Sequence, residues 1–318
     1  MRKNPSLIIA AGKGCFTCCR GCYQYFGKNQ VPTEDLIKFI KSYKEKFNLE
    51  KITLAGGDPM TRKDIVYLVD ELDKLNIKIY MDTVGKNFIQ SSDIVFQDCG
   101  KAEYIDPKIL KGKISKIGIP VDGYTTEQIN YFRTQITLDE IISILSTLNK
   151  HEYDICINTV VNKTNINDLK QILNIIKQYE NVTQWQLFQY SPIGDLGYKN
   201  RHLFEVENRL FEEKIIDILS NENNIDIEIE GKSNSYRKLN YILLNSDGEV
   251  WQPNYTISKS TFEINDSNSD KTIIGTIYDI DIMDKIKITH VSGKVIKNLN
   301  QNIQVINDTS TKILKKQK

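Results

Sequence analysis

The sequence predicts an α/β protein built on a parallel sheet, with a small β-rich extension toward its C-terminal end. Three observations carry that prediction. Short β-branched runs alternate with longer stretches of helical period from about residue 5 to 230. The alternation is regular enough to read as successive βα units. Beyond about 230 the texture changes, and Asn and Ser become frequent between short β-like runs. The expected division is therefore 1–230 and 231–318. Six βα units fit a three-quarter barrel or a doubly wound sheet, and periodicity alone does not choose between them.

Taken in chain order, strands are expected at 7–10, 51–55, 77–81, 114–121, 154–161 and 183–190. Helices are expected at 33–47, 64–75, 137–150 and 165–179. The first of these opens with Thr33 as its cap and the acids Glu34 and Asp35 in its first turn. The last carries Leu169, Ile172, Leu173, Ile175 and Ile176 at helical spacing. The connection 88–113, which contains Cys99, is irregular and longer than its neighbours. In the extension, β-like runs at 241–244, 249–251, 272–278 and 285–289 are joined by turns such as Ser246-Asp247-Gly248. The stretch 265–271 reads as a loop and 312–318 as a basic, solvated end.

Charge and composition exclude several classes. Of the 318 residues, 42 are Lys or Arg and 41 Asp or Glu, a net of +1, so the basic field of a dedicated nucleic-acid binder is missing. The 40% hydrophobic and 26% charged fractions exclude wholesale disorder. No apolar run approaches the ~20 residues of a membrane helix. Leu7-Ile8-Ile9-Ala10-Ala11 is too short for a signal-peptide core. A cytoplasmic protein with no membrane or nucleic-acid partner is expected.

The six cysteines are unevenly spread: Cys15, Cys18, Cys19 and Cys22 are crowded together, while Cys99 and Cys156 stand alone. Such crowding in a cytosolic chain suggests metal binding or redox chemistry more than a disulfide framework. Cys15, Cys19 and Cys22 form a C-x3-C-x2-C pattern. Three thiolates on a short loop can hold three irons of a 4Fe–4S cluster and leave the fourth iron to an outside ligand. A loop directly after the first strand would place that cluster at the carboxyl ends of the parallel strands, where βα folds build their sites. Two readings compete: a zinc site on all four crowded cysteines, disfavoured because adjacent Cys18 and Cys19 point apart, and unliganded or redox-paired thiols. Cys15, Cys18 and Cys22 are also a three-cysteine set; the first trio is preferred and Cys18 is left as a neighbour.

That spacing resembles the radical S-adenosylmethionine (SAM) superfamily, and the resemblance extends over about residues 5–195. Leu54-Ala55-Gly56-Gly57-Asp58-Pro59 is similar to the superfamily's glycine-rich motif, whose backbone binds the methionyl amino group of SAM. Glycines let a backbone approach a ligand closely, and the acid would supply a charge partner for an ammonium. Met81-Asp82-Thr83-Val84-Gly85 resembles a T-N-G turn, with Val84 where Asn is common. Ile119-Pro120-Val121-Asp122-Gly123 resembles S-x-D-G, with Pro120 replacing a serine often near the ribose. Asn158 opens a run similar to the N-x-V-V that places an amide on the SAM sugar, and Trp185–Pro192 resembles a strand flanking adenine (185–192). Gly21 stands where an aromatic usually precedes the third cysteine, a departure that Cys-Arg-Gly-Cys-Tyr shares with glycyl-radical activases; those are much shorter.

The resemblance implies a partial (β/α)6 barrel, one 4Fe–4S cluster on Cys15, Cys19 and Cys22, and SAM chelating the free iron. Reductive cleavage of SAM would yield a 5′-deoxyadenosyl radical that abstracts a hydrogen atom from substrate, with the electron drawn from a donor such as flavodoxin or ferredoxin. Gly56, Gly57, Asp58, Pro59, Thr83, Gly85, Pro120, Asn158 and Gln189 are the expected SAM contacts. Asp122, Gln189 and Tyr190 are the candidate catalytic residues, each weighed against a plain structural role; for Asp122 that is a turn-forming Asp-Gly. Cys156 shares a strand face with Asn158 and reads as a core cysteine or, less readily, a hydrogen-atom donor. Tyr23, Tyr25 and Phe26 read as packing for the loop, and His151, His202 and His290 have no ligand spacing.

Substrate rests on the extension. Leu243-Leu244-Asn245-Ser246-Asp247-Gly248-Glu249-Val250-Trp251-Gln252-Pro253 and Ile274-Gly275-Thr276-Ile277 are similar to the C-terminal region of peptide-modifying members. Those members carry auxiliary clusters beside the D-G turn, whereas here no cysteine follows Cys156. A ribosomally made peptide is the first expectation. A nucleotide or other small metabolite is the second, because Trp185-x-x-Phe188-Gln189 is also similar to nucleotide-dehydrating members. An activase acting on a protein partner and a non-enzymatic metal module complete the set.

Overall fold

The spatial order of the strands decides between barrel and doubly wound sheet. The computed structural model describes residues 6–24, 29–98, 100–221, 226–234, 241–253, 271–287, 295–299, 302–306 and 311–314. Strands β1 (Ser6–Gly12), β2 (Lys51–Gly56), β3 (Lys78–Asp82), the antiparallel pair β4 (Ser92–Ile94) and β5 (Gly100–Ala102), and β6 (Ile114–Pro120) come first. They are followed by β7 (Ile155–Val161), β8 (Val182–Gln189) and β9 (Glu228–Lys232). In the main sheet β1-β2-β3-β6-β7-β8-β9 are neighbours in chain order and parallel throughout. A doubly wound sheet reverses strand order at a switch point. This one never does, so it is wound in one direction, as a barrel is, and left open: a partial barrel.

The helices that cover the sheet form where the periodicity places them. Helix Thr33–Phe47 buries Leu36, Ile37, Phe39, Ile40 and Tyr43 against the strands. Leu138–Lys150 buries Ile141, Ile144, Leu145 and Leu148 and starts at a capping box between Thr137 and Glu140. Leu169–Ile176 buries Leu169, Ile172, Leu173 and Ile176. Thr33 does not cap the first helix. It is the first helical residue, and its hydroxyl bonds to the Arg62 guanidinium (2.7 Å) and to Asp64.

The extension is continuous with the barrel sheet. β10 (Tyr241–Leu244) lies parallel to β1 on its outer edge, and β11 (Glu249–Pro253) and β12 (Lys271–Thr276) follow antiparallel. At the other edge β13 (Val295–Leu299) pairs with β9, followed by β14 (Asn302–Ile306) and β15 (Thr311–Leu314). The expected boundary at 230/231 falls inside β9, a parallel strand absent from the sequence-based expectation. The strand expected at 272–278 stops at Thr276, whose N–H and hydroxyl bond to the Asp279 carboxylate. The strand expected at 285–289 is not formed over its described part; a helical turn, Ile282–Lys285, stands there, and 288 and 289 lie outside the described residues. Cys99, Tyr25, Phe26, His290, the polar stretch 265–270 and the tail residues 315–318 also lie outside them. Among the described residues no helix is long and apolar enough to cross a membrane.

Candidate functional site

The cysteine loop leaves β1 at Gly12 and is clamped on two sides. Cys15 pairs its backbone with Phe96 beyond β4, with its N–H donating to the Phe96 carbonyl at 3.1 Å. Cys19 pairs with Arg133 at the end of helix Thr126–Phe132, and the Arg20 N–H donates to the Phe132 carbonyl at 2.9 Å. The Thr134 hydroxyl donates to the Cys18 carbonyl at 2.8 Å. Side chains are thereby fixed without any covalent link; all four loop cysteines are free thiols.

The Thr17 hydroxyl lies 3.5 Å from the Cys15 Sγ and 3.6 Å from the Cys19 Sγ, within sulfur hydrogen-bonding reach of both. Burial pushes the Cys15 thiol up to about 12, with Asp58 adding to the shift, and burial raises Cys22 as well. Cys19 is raised by burial while the Arg133 charge pulls it down. Cys15 is buried and Cys19 and Cys22 are half-buried, and thiols that are raised in this way need positive charge nearby to become thiolates, which an iron–sulfur core would supply. A tetrahedral zinc site needs its sulfurs ~2.3 Å from one centre. Among the described residues no group of three or more His, Cys, Asp or Glu side chains is arranged to hold a single metal ion. A four-iron cluster spreads its ligands over separate irons and does not require the three sulfurs to meet at one centre.

Gly21 explains its own departure from the family pattern. A Cβ there would lie 2.5 Å from Phe132 Cε2 and 2.6 Å from Tyr190 Cε2. Phe132, Tyr190 and Phe204 stack around the loop with centroid separations of 5.1 to 6.2 Å. The aromatic wall is delivered by other elements, so the loop itself must be bare at that point.

The glycine-rich turn after β2 docks on the start of the same loop. The Asp58 N–H donates to the Gly14 carbonyl at 2.7 Å and the Gly57 N–H to the Gly12 carbonyl at 3.3 Å. A Cβ on Gly57 would meet the Gly14 oxygen at 2.2 Å, and Gly56 adopts φ +105°, a left-handed geometry that suits glycine. The Asp58 carboxylate accepts from the Met60 N–H (3.0 Å), the Thr83 hydroxyl (2.7 Å) and the Val84 N–H (2.6 Å). Burial nonetheless pushes its pKa up to about 6. Asp58 therefore braces the end of β3 against the turn at Pro59–Thr61, rather than standing free as the expected partner of an ammonium. Thr83 also accepts from the Gly85 N–H at 3.0 Å, so Asp58, Thr83 and Gly85 form one connected corner.

Deeper in the barrel, Asn158 donates to Asp82 at 2.9 Å across the gap left by Gly118, where a Cβ would lie 2.0 Å from Asp82 Oδ1. Lys232 donates to Gln186 at 2.7 Å, and the Lys51 ammonium sits 4.5 Å above the Tyr80 ring. Pro120, half-buried, ends β6 one strand from Asn158. Cys156 is buried beside Asn158 and pushed up to about 12 by burial, as befits a core thiol.

The structure reassigns all three candidate catalytic residues. Gln189 donates to the Val206 carbonyl and to Asn208, both at 2.8 Å, and accepts from the Asn234 N–H at 2.7 Å. Its amide ties the end of β8 to the segment at Val206–Asn208 and to Asn234 after β9, so both its donor and its acceptor are engaged within the chain. Tyr190 donates to the Gly197 carbonyl at 2.5 Å and is buried in the aromatic wall. Asp122 accepts from Arg133 Nε (2.8 Å) and the Val160 N–H (2.8 Å), with its side chain 0% exposed. All three stand at strand ends, as expected, but each side chain turns into the wall. Thr17 and Arg133, which touch the cysteines, carry no spacing signal: Thr17 reads as loop filler, and Arg133 is distant in sequence. His151, meanwhile, bonds the Thr147 carbonyl at its helix end.

Comparison with known proteins shows the family and the fold. The radical SAM superfamily model matches residues 9–176. A S-adenosylmethionine-dependent nucleotide dehydratase of Flammeovirga pacifica is 22% identical over 272 residues, covering 82% of this chain and 87% of that protein. A probable GTP 3′,8-cyclase of Pyrococcus horikoshii is 22% identical over 170 residues, 52% of this chain and 50% of that one. Among solved structures, Streptococcus suis SuiB bound to precursor peptide SuiA superposes with TM-score 0.62 at 17% identity, over 88% of this chain and 64% of SuiB. The chain thus spans a little under two thirds of SuiB. Histidine-tagged anSMEcpe with bound AdoMet gives 0.60 at 16% identity, over 90% of this chain and 80% of that one. With a family match over more than half its length and three spaced thiols beside a glycine-rich turn, the chain belongs to the radical SAM superfamily, whose cofactors are a 4Fe–4S cluster and S-adenosylmethionine.

Proposed function

We propose that this radical SAM enzyme takes a hydrogen atom from a ribosomally made peptide. When bound, the cluster and SAM supply the 5′-deoxyadenosyl radical that makes the abstraction possible. The chain's own part is to hold, orient and exclude water. Cys15, Cys19 and Cys22 are the proposed iron ligands, with Thr17 fixing the side chains of the first two. The backbone of Gly56, Gly57, Asp58 and Pro59, with Thr83 and Gly85, forms the proposed seat for the methionyl end, made rigid by the Asp58 carboxylate. Pro120 and Asn158 are the proposed neighbours of the sugar.

One observation carries the peptide reading. The extension, with its Ser246-Asp247-Gly248 turn, is seated on the segment leaving the cysteine loop: the Val31 N–H donates to the Ser246 carbonyl at 2.8 Å and the Ser246 hydroxyl to the Asn29 carbonyl at 3.0 Å. The likeness to SuiB, crystallised with its precursor peptide, runs over 88% of this chain. A nucleotide is the second reading, favoured by the Flammeovirga relative, which matches over 82% of this chain. The deciding experiment feeds the reconstituted enzyme deuterated peptides or deuterated nucleotides. Deuterium in 5′-deoxyadenosine from a peptide is the expected result; transfer from nucleotides alone would replace the first reading with the second.

A further inference from the structure

Arg133 places a cation directly on one of the three cysteines. Its Nη1 donates to the Cys19 Sγ at 3.1 Å while its Nε donates to Asp122 Oδ2 at 2.8 Å. The Arg133 side chain is 15% exposed and that of Asp122 is 0% exposed. The other Asp122 oxygen accepts from the Val160 N–H at 2.8 Å, which locks the carboxylate to β7. Backbone pairing of Arg133 with Cys19 fixes the approach from the other side. A guanidinium withdrawn this far from solvent favours a matched charge. Asp122 matches that single charge through Nε, and the Nη1 donor is directed at sulfur rather than at a second carboxylate.

We propose that Arg133, aimed by Asp122, is a positioning residue that sets the reduction potential of the cluster through Cys19. The inference rests on the three-cysteine reading of the site. Hydrogen bonds and positive charge at the sulfurs favour the reduced, more negative cluster, and a nearby carboxylate opposes it. Removing the arginine charge therefore lowers the potential, and removing the aspartate charge raises it. A loop merely loosened by either substitution would admit water and move both variants in the same direction.

The test is a redox titration of the reconstituted full-length protein without SAM, reading the reduced cluster by electron paramagnetic resonance, with iron content measured on each sample. Arg133→Met is expected to shift the one-electron equilibrium at least tenfold toward the oxidised cluster, which is about 59 mV more negative. Arg133→Lys, which keeps the charge and loses the fork, is expected to fall between it and wild type. Asp122→Asn is expected to move the potential the other way. If Arg133→Met fails to fold or load iron, the opposite-direction shift of Asp122→Asn and the small negative shift of Arg133→Lys still decide. Unmoved potentials, or shifts of one sign in both charge-removal variants, overturn the inference while leaving the cluster site intact. A wild type that takes up no iron overturns both.

Discussion

At the scale of single residues, the site is a set of backbone gaps and braces more than a set of free functional groups. Gly21 leaves room for the ring edges of Phe132 and Tyr190. Gly21→Ala puts a methyl within 2.5 Å of a ring carbon that is itself packed. It is expected to cost about 1–3 kcal/mol of stability, seen as a lower urea midpoint, and to reduce iron uptake on reconstitution; unchanged values for both would refute the role given to the wall. The meeting of the cysteine loop with the Gly-Gly-Asp-Pro turn is legible in the sequence because each directly follows one of two successive strands, β1 and β2, which pair in the sheet. Asp122, Gln189 and Tyr190 mislead because reaching the end of a strand does not say which way the side chain turns. Arg133 is invisible for another reason: only the folded chain carries it to Cys19.

At the scale of elements, local signals and tertiary position coincide for most of the barrel. The Thr137 and Glu140 capping box starts Leu138–Lys150 where the sequence places it. Thr137→Ala removes that cap and is expected to lower stability by about 1 kcal/mol, measurable by urea denaturation, with no change in iron content. An effect on iron content would mean that this helix reaches the site, which the geometry does not show. β9 escapes a sequence reading because Glu228-Ile229-Glu230-Gly231-Lys232 looks like charged surface, although Glu230 and Lys232 line the partial barrel beside β8. The helix Asn208–Asn221, which buries Phe211, Ile215 and Leu219, is likewise amphipathic without strong start signals. Where a strand is expected near 285, a helical turn instead buries Ile282 and Ile286 at i, i+4 spacing.

At the scale of the molecule, the extension and the barrel share one sheet. Texture changes at about 230, and the strands beyond it extend both edges of the barrel sheet, β10 parallel to β1 and the others antiparallel to their neighbours. β10 covers the outer edge of β1 with Ile242 and Leu244 buried. Truncation after residue 234 exposes that edge and is expected to abolish cooperative thermal unfolding of the remainder. A truncated chain that melts like the full protein would show that 1–230 folds on its own.

The proposed ligands Cys15, Cys19 and Cys22 would hold a cluster able to cleave SAM, with Cys18 a neighbour. Anaerobic reconstitution followed by iron analysis and by assay for 5′-deoxyadenosine, with reductant and SAM, tests it directly on wild type, Cys18→Ala and Cys19→Ala. About four irons per chain and 5′-deoxyadenosine are expected for wild type and Cys18→Ala, and neither for Cys19→Ala. Loss at Cys18 with retention at Cys19 would show that the other trio is the ligand set, and zinc uptake without SAM cleavage would contradict the account altogether.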